Sequence, residues 1–177
     1  MHYKSYYQSP IGHITLTSDG QNLTGLWLPK HTDFEAQDDN PLQEMDLAVF
    51  DKAKHWLDAY FSGDNPKIDF PLKATGTTFR EQVWQILLEI PQGETWTYGD
   101  IAEKIAKKRG KTKMSAQAVG GAVGSNPISI IIPCHRVVGK DGNLTGYGGG
   151  IDTKIMLLKL ESVDMDVLYR PKHSKKP

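Results

Sequence analysis

Over residues 2–29 apolar and polar positions alternate, and β-formers dominate: Tyr3, Tyr6, Ile11, His13, Ile14 and Leu16, then Leu23, Gly25, Leu26, Trp27 and Leu28. The turn clusters Ser9-Pro10 and Ser18-Asp19-Gly20-Gln21-Asn22 interrupt them, which predicts an antiparallel hairpin or meander. Residues 31–41, with Asp33, Glu35, Asp38, Asp39, Asn40 and Pro41, are expected to form a polar loop. After Pro41 the period changes. Leu42, Met45, Val49, Ala53, Trp56, Leu57, Tyr60 and Phe61 have amphipathic-helix spacing, and Gly63-Asp64-Asn65-Pro66 ends the helix. Ile68, Phe70 and Leu72 alternate as a short strand, and Lys73-Ala74-Thr75-Gly76 leads into a second unit.

Helical spacing prevails in that second unit. Thr78 and Glu81 have capping-box spacing ahead of an apolar face of Phe79, Val83, Ile86, Leu87 and Ile90, stopped by Pro91-Gln92-Gly93. A second helix is predicted from Tyr98 to Ala106, with Ile101, Ala102 and Ile105 inward, followed by the basic loop Lys107–Lys113. A third runs from Ser115, a good N-cap, to Val123, and Gly124-Ser125-Asn126-Pro127 ends it. This is helix-turn-helix organisation with a long connection. Gly120 and Gly121 inside a helix cost about 1 kcal/mol each relative to alanine. Small residues there make sense where another backbone approaches closely, either a core sheet or a nucleic acid groove.

The run Ile130-Ile131-Ile132-Pro133-Cys134-His135-Arg136-Val137-Val138 is apolar and β-branched, which predicts a buried strand. Proline cannot continue a central ladder, so the chain should turn at Pro133 and bring Cys134 to the edge of the core. Residues 139–150 are a glycine-dense loop around Tyr147, without the spacing of a dinucleotide-binding turn. A last helix, Lys154 to about Ser162, buries Ile155, Leu157, Leu158 and Leu160 and carries Glu161 near its end. The basic tail from Tyr169 to Pro177 is expected to fray.

Composition narrows the class. A chain of 177 residues has room for one or two cores, and it shows neither an apolar run of membrane-spanning length nor a signal-peptide pattern. Its single cysteine excludes an internal disulfide and a thiolate-rich metal cluster, and fits a reducing, cytoplasmic setting. The formal charge is zero, but residues 1–76 hold 6 Lys/Arg against 11 Asp/Glu, and residues 77–177 hold 15 against 10. A polyanion would therefore bind the second part. The expected division is a scaffold domain over 1–76, a chemistry-bearing domain over 77–165 and a flexible basic tail over 166–177. In isolation Cys134 would be read as a small core hydrophobe.

Its surroundings alter that reading. Phe79-Arg80-Glu81-Gln82-Val83-Trp84, Ile90-Pro91-Gln92-Gly93-Glu94-Thr95, Thr97-Tyr98-Gly99-Asp100-Ile101-Ala102, Ala118-Val119-Gly120-Gly121-Ala122, Asn126-Pro127, Pro133-Cys134-His135-Arg136-Val137 and Gly146-Tyr147 stand in one order. In that order the second unit, from Phe79 to about Ser162, resembles the O6-alkylguanine-DNA alkyltransferases. Pro-Cys-His-Arg-Val is highly specific, whereas the first unit is less diagnostic. The resemblance implies an α/β N-terminal unit (antiparallel sheet plus helix) followed by a mainly α, winged-helix-like helix-turn-helix domain.

It also implies repair of double-stranded DNA. The alkyl group of O6-alkylguanine, or of O4-alkylthymine, passes once and irreversibly to Cys134, with no metal and no cofactor. His135 takes the thiol proton through a bound water, Glu161 orients and charges His135, and Asn126 braces the active-site turn. Tyr98 gives a proton or hydrogen bond to the leaving guanine. Tyr147 and the backbone from Val137 to Gly148 line the pocket, and the third helix (Ser115, Gln117, Ala118 and Gly121) enters the minor groove, with Arg80 also on the DNA. The protein is expected to be a monomer that can bind DNA cooperatively. Two positions depart from the family: Gln117 stands where many members carry an intercalating arginine, and Gly148 where some carry serine. The Lys107–Lys113 loop would supply the missing attraction. Two other classes compete. A non-catalytic binder of damaged DNA typically lacks the acceptor cysteine, and a cysteine hydrolase would use Cys134 and His135 in repeated turnover. A plain helix-turn-helix regulator leaves the Cys–His–Glu set unexplained.

Overall fold

The structure is a computed structural model that describes residues 2–30 and 42–171. The polar loop expected over 31–41, and the tail from 172 onward, lie outside the described residues. The chain divides into two units, one of residues 1–75 together with 127–131, the other of residues 76–126 together with 132–177.

In the first unit β1 (Tyr3–Ser9), β2 (Gly12–Ser18) and β3 (Leu23–Trp27) form the expected antiparallel meander. Ile14, Leu16, Leu23 and Leu26 are wholly buried beside Phe50, Ala53 and Leu57 of helix α1 (Ala48–Phe61). The sheet is mixed rather than purely antiparallel. β4 (Gln43–Glu44) pairs parallel to β1, so the segment after Pro41 runs extended before α1 begins. The strand expected around Ile68–Leu72 is reduced to one bridge, Leu72 to Leu23.

In the second unit the helices follow the pattern with shifted ends. Thr77, rather than Thr78, caps α2 (Thr78–Leu87) by accepting from the Arg80 amide at 3.2 Å. Thr97 and Asp100 form a full capping box on α3 (Tyr98–Lys108). Ser115 caps α4 (Ala116–Gly124) through the Ala118 amide at 3.2 Å. Val83, Ile86 and Leu87 of α2, Ile101 and Ile105 of α3, and Val119 and Ala122 of α4 make the core. Trp84 donates its indole N–H to the Ala122 carbonyl at 2.8 Å and ties α2 to α4. The two-residue strands β5 (Trp96–Thr97) and β6 (Val137–Val138) pair in parallel.

Three further segments differ from the expected pattern. The run from Ile130 to Ile132 is buried but is not a strand: residues 129–131 turn, with Ile130 at φ 69°. A segment buried on every side shows no periodicity, so strand and buried turn cannot be separated by pattern. The last helix, α5 (Ile151–Leu160), starts three residues earlier than expected, with Ile155 and Leu160 only half-buried and Lys154 in the core instead. Residues 166–171 are also structured. A 3-10 turn at Met165–Val167 leads to Tyr169, which bridges Asn143 and bonds through its backbone to Gly142 and Leu144. A Cβ on Gly142 would strike the Val167 carbonyl, so this close approach requires glycine.

Candidate active site

After Pro133 the chain tightens into a 3-10 turn over Cys134–Arg136 before entering β6. The turn is braced from behind. Asn126, just past the end of α4, donates its side-chain N–H to the Ile132 carbonyl at 2.8 Å. Cys134 is 7 % exposed and His135 is fully buried.

Glu161 caps the end of α5 and is buried as well. One of its carboxylate oxygens lies 2.5 Å from Nε2 of His135. The other accepts from Nε of Arg136 at 2.6 Å. Arg136 further donates to the Ile90 carbonyl at 2.7 Å, in the turn that follows α2. In that turn Gly93, at φ 91°, lies against the Glu161 backbone. Residues 26 positions apart in the chain are thus fixed as one charged network.

The network decides the protonation states. Burial alone would push Glu161 up, but the hydrogen bonds and charges of His135 and Arg136 outweigh it and hold the carboxyl at about 2. It is an anion at neutral pH. Nε2 of His135 therefore donates to Glu161, leaving Nδ1 as the lone-pair nitrogen. Nδ1 is buried and bonds to no described residue. Burial pulls His135 down, partly countered by Glu161, so the ring rests neutral and able to accept a proton. Burial pushes the Cys134 thiol up; hydrogen bonds with Asn126 and Tyr147, and the nearby Lys154 charge, only partly counter it. A protonated thiol is a poor nucleophile, so this cysteine needs the base beside it.

Tyr98, first residue of α3, places its hydroxyl 3.1 Å from Oγ1 of Thr145. Burial pushes its phenol up, opposed by the Thr145 contact. Val137 and Tyr147 are buried near the thiol turn, while Gly148 is exposed. Arg80, Ser115, Gln117, Ala118 and Gly121 are all exposed. Cys134, His135, Glu161 and Asn126 are buried instead. A Cβ at Gly120 would only touch the Tyr98 ring at 3.8 Å, and at Gly121 or Gly124 it would meet nothing within 4 Å. The glycines of α4 are therefore not forced by packing inside this chain.

Sequence reasoning gave no role to Lys154, Arg136 or Thr145. Lys154 is 1 % exposed and donates to the carbonyls of Val137 at 2.7 Å, before the glycine-dense loop, and Leu144 at 2.6 Å, within it. Burial lowers it to about 8, with the Cys134 charge acting the other way. A signal was present. Lys154 stands three positions before Leu157 and three after Ile151, on the buried stripe of α5, where a cation signals a specific partner.

The DNA-binding domain model of 6-O-methylguanine DNA methyltransferase matches residues 78–163, and that enzyme's ribonuclease-like domain model matches residues 2–74. This chain belongs to the 6-O-methylguanine DNA methyltransferase family. Among its relatives is the methylated-DNA--protein-cysteine methyltransferase of Haemophilus influenzae, 45% identical over 166 residues, covering 91% of this chain and 87% of that one. The Methanosarcina acetivorans protein of the same name is 42% identical over 159 residues, covering 90% and 97%. A crystal structure of Mycobacterium tuberculosis OGT in complex with DNA superposes with a TM-score of 0.79 at 43% identity, covering 90% of this chain and 92% of that chain.

Proposed function

We propose that this protein repairs O6-alkylguanine in duplex DNA by a single, irreversible transfer of the alkyl group to Cys134. The observation that carries the proposal is the buried Cys134–His135–Glu161 set, with Nε2 committed to Glu161 and Nδ1 left as the base. Family membership and the relatives' shared name support the same reaction.

The residues divide the work. The exposed group on α4, with Arg80, meets the DNA, and the outward glycines let its backbone come close. Gln117 fills the space left by the extruded base without adding charge, and Lys107, Lys108, Lys111 and Lys113 supply phosphate attraction. Extrusion costs a few kcal/mol, least for a poorly paired base. Val137, Tyr147 and the loop up to Gly148 then line the pocket.

Nδ1 of His135 removes the thiol proton through one water, and the imidazolium formed is stabilised by Glu161. The thiolate attacks the alkyl carbon in line. The C–O6 bond breaks, and Tyr98 gives its proton to the departing guanine. A thioether does not regenerate, so each molecule acts once. O4-alkylthymine offers the same leaving chemistry and is a second substrate. The protein works as a monomer, and the lone free thiol fits the reducing cytoplasm.

The test is the stoichiometry of lesion loss. Duplex carrying O6-methylguanine should lose one lesion per protein molecule and then stop, and Cys134→Ala should remove none while still binding. Repeated turnover, or lesion loss by Cys134→Ala, would sink the proposal.

A further inference from the structure

We propose that Thr145 is a positioning residue for the leaving-group step: its hydroxyl holds Tyr98 at rest and turns to donate to the phenolate as Tyr98 yields its proton. This rests on the alkyl-transfer reading above.

The argument is a count of protons. Thr145 has one hydroxyl hydrogen, and its Oγ1 lies 2.6 Å from the Leu144 carbonyl, which can only accept. That bond uses the hydrogen. The contact with Tyr98 at 3.1 Å must then run from the phenol to Thr145 at rest. So the Tyr98 proton is parked on Thr145, and the remaining phenol lone pair can accept nothing from it.

As the base departs, the roles reverse. The new S–C bond forms, the C–O6 bond breaks with its electron pair staying on the guanine, and the Tyr98 proton goes to that guanine. The phenolate left behind needs a donor. Thr145 can supply one by rotating its hydroxyl away from Leu144, because the Leu144 carbonyl keeps a second partner, the Lys154 ammonium at 2.6 Å. No acceptor or donor is orphaned by the turn. Afterwards solvent reprotonates Tyr98 while His135 releases the thiol proton, so the net exchange is hydrogen for alkyl at sulfur.

The surrounding backbone is built to hold this hydroxyl. Thr145 sits at φ 59°, unusual for a β-branched residue. It is kept there by its own amide donating to Oδ1 of Asn143 at 2.9 Å and by the Leu144 amide donating to the Tyr169 carbonyl at 2.9 Å. Strain of this kind persists where the structure over-determines it, commonly at sites of function.

The experiment measures methyl transfer in a single turnover and lesion-DNA affinity separately, on folded protein checked by thermal melting. Thr145→Val keeps the shape but loses the hydroxyl, and should slow transfer about tenfold, the value of one hydrogen bond, with affinity unchanged. Thr145→Ser should return to near the wild-type rate. Thr145→Gly, which suits the left-handed backbone, should be as slow as Thr145→Val and serves if valine fails to fold. In a Tyr98→Phe background Thr145→Val should cause no further loss. Unaltered transfer in Thr145→Val and Thr145→Gly, or full additivity with Tyr98→Phe, overturns this proposal alone. Wild-type protein that leaves Cys134 unmodified overturns it together with the alkyl-transfer reading.

Discussion

Glu161→Gln tests the charged network, because it keeps the shape of the side chain, removes its charge and turns one of its two accepting oxygens into a donor. In the folded protein the Glu161 carboxyl is held at about 2 against an ordinary 4.5. At 1.36 kcal/mol per unit, that depression corresponds to about 3 kcal/mol favouring the charged form. The variant also leaves the buried Arg136 without its counter-charge, and breaking a buried pair costs on the order of 3–5 kcal/mol. Denaturant unfolding at neutral pH should therefore show a loss in that range. The pH dependence is the sharper part. A depressed carboxyl stabilises the fold fully above its unfolded value, and that contribution drains away as pH falls from about 4.5 towards about 2. Wild type should lose this stability over that window, whereas Glu161→Gln should not, so the gap between them closes as pH falls. Single-turnover transfer should drop by about 10²–10⁴, the usual worth of a positioned general base. A stability gap that stays constant from neutral pH to pH 2, or an unchanged transfer rate, would refute the network as described.

Other substitutions separate binding from chemistry. Gln117→Arg should tighten binding to duplex DNA and steepen the dependence of log affinity on log salt by about 0.9, the value of the counterion released by one added charge; weaker binding in a salt titration would mean Gln117 does not face the DNA. Asn126→Ala removes the bond to the Ile132 carbonyl and should cost about 1–3 kcal/mol in unfolding free energy while slowing transfer; equal transfer rates would show that the turn holds without it. Lys154→Met removes a cation whose folded value is about 8. In wild type the folded state sheds this proton before the unfolded state does, so stability should rise between pH 8 and about 10.5. Lys154→Met should lack that rise in a urea series, and an identical rise in both proteins would contradict the assignment.

Much of this molecule was legible in its sequence, for reasons that differ by element. The meander of β1–β3 and the helices α1–α4 followed from period and capping, because each has one face buried and one wet. The Cys134–His135–Glu161 set was an implication of the resemblance those motifs carry; in the structure His135 bonds Glu161, and Asn126 braces the turn that holds Cys134. Elements that failed were buried on all sides or held by distant partners. Ile130–Ile132 has no wet face to set a period. β4 and the 165–171 segment are held by pairing with distant strands and loops, which no local pattern reports. Lys154 was missed because a lysine in an apolar stripe reads as surface until its two carbonyl partners are seen.

The most direct test of the central claim is the mass of the protein after exposure to duplex DNA carrying O6-methylguanine. The account predicts a gain of one methyl group per molecule, mapped by peptide fragmentation to the sulfur of Cys134, and no gain with Cys134→Ala. Repaired DNA with Cys134 unmodified, or a methyl group on any other residue, would contradict it.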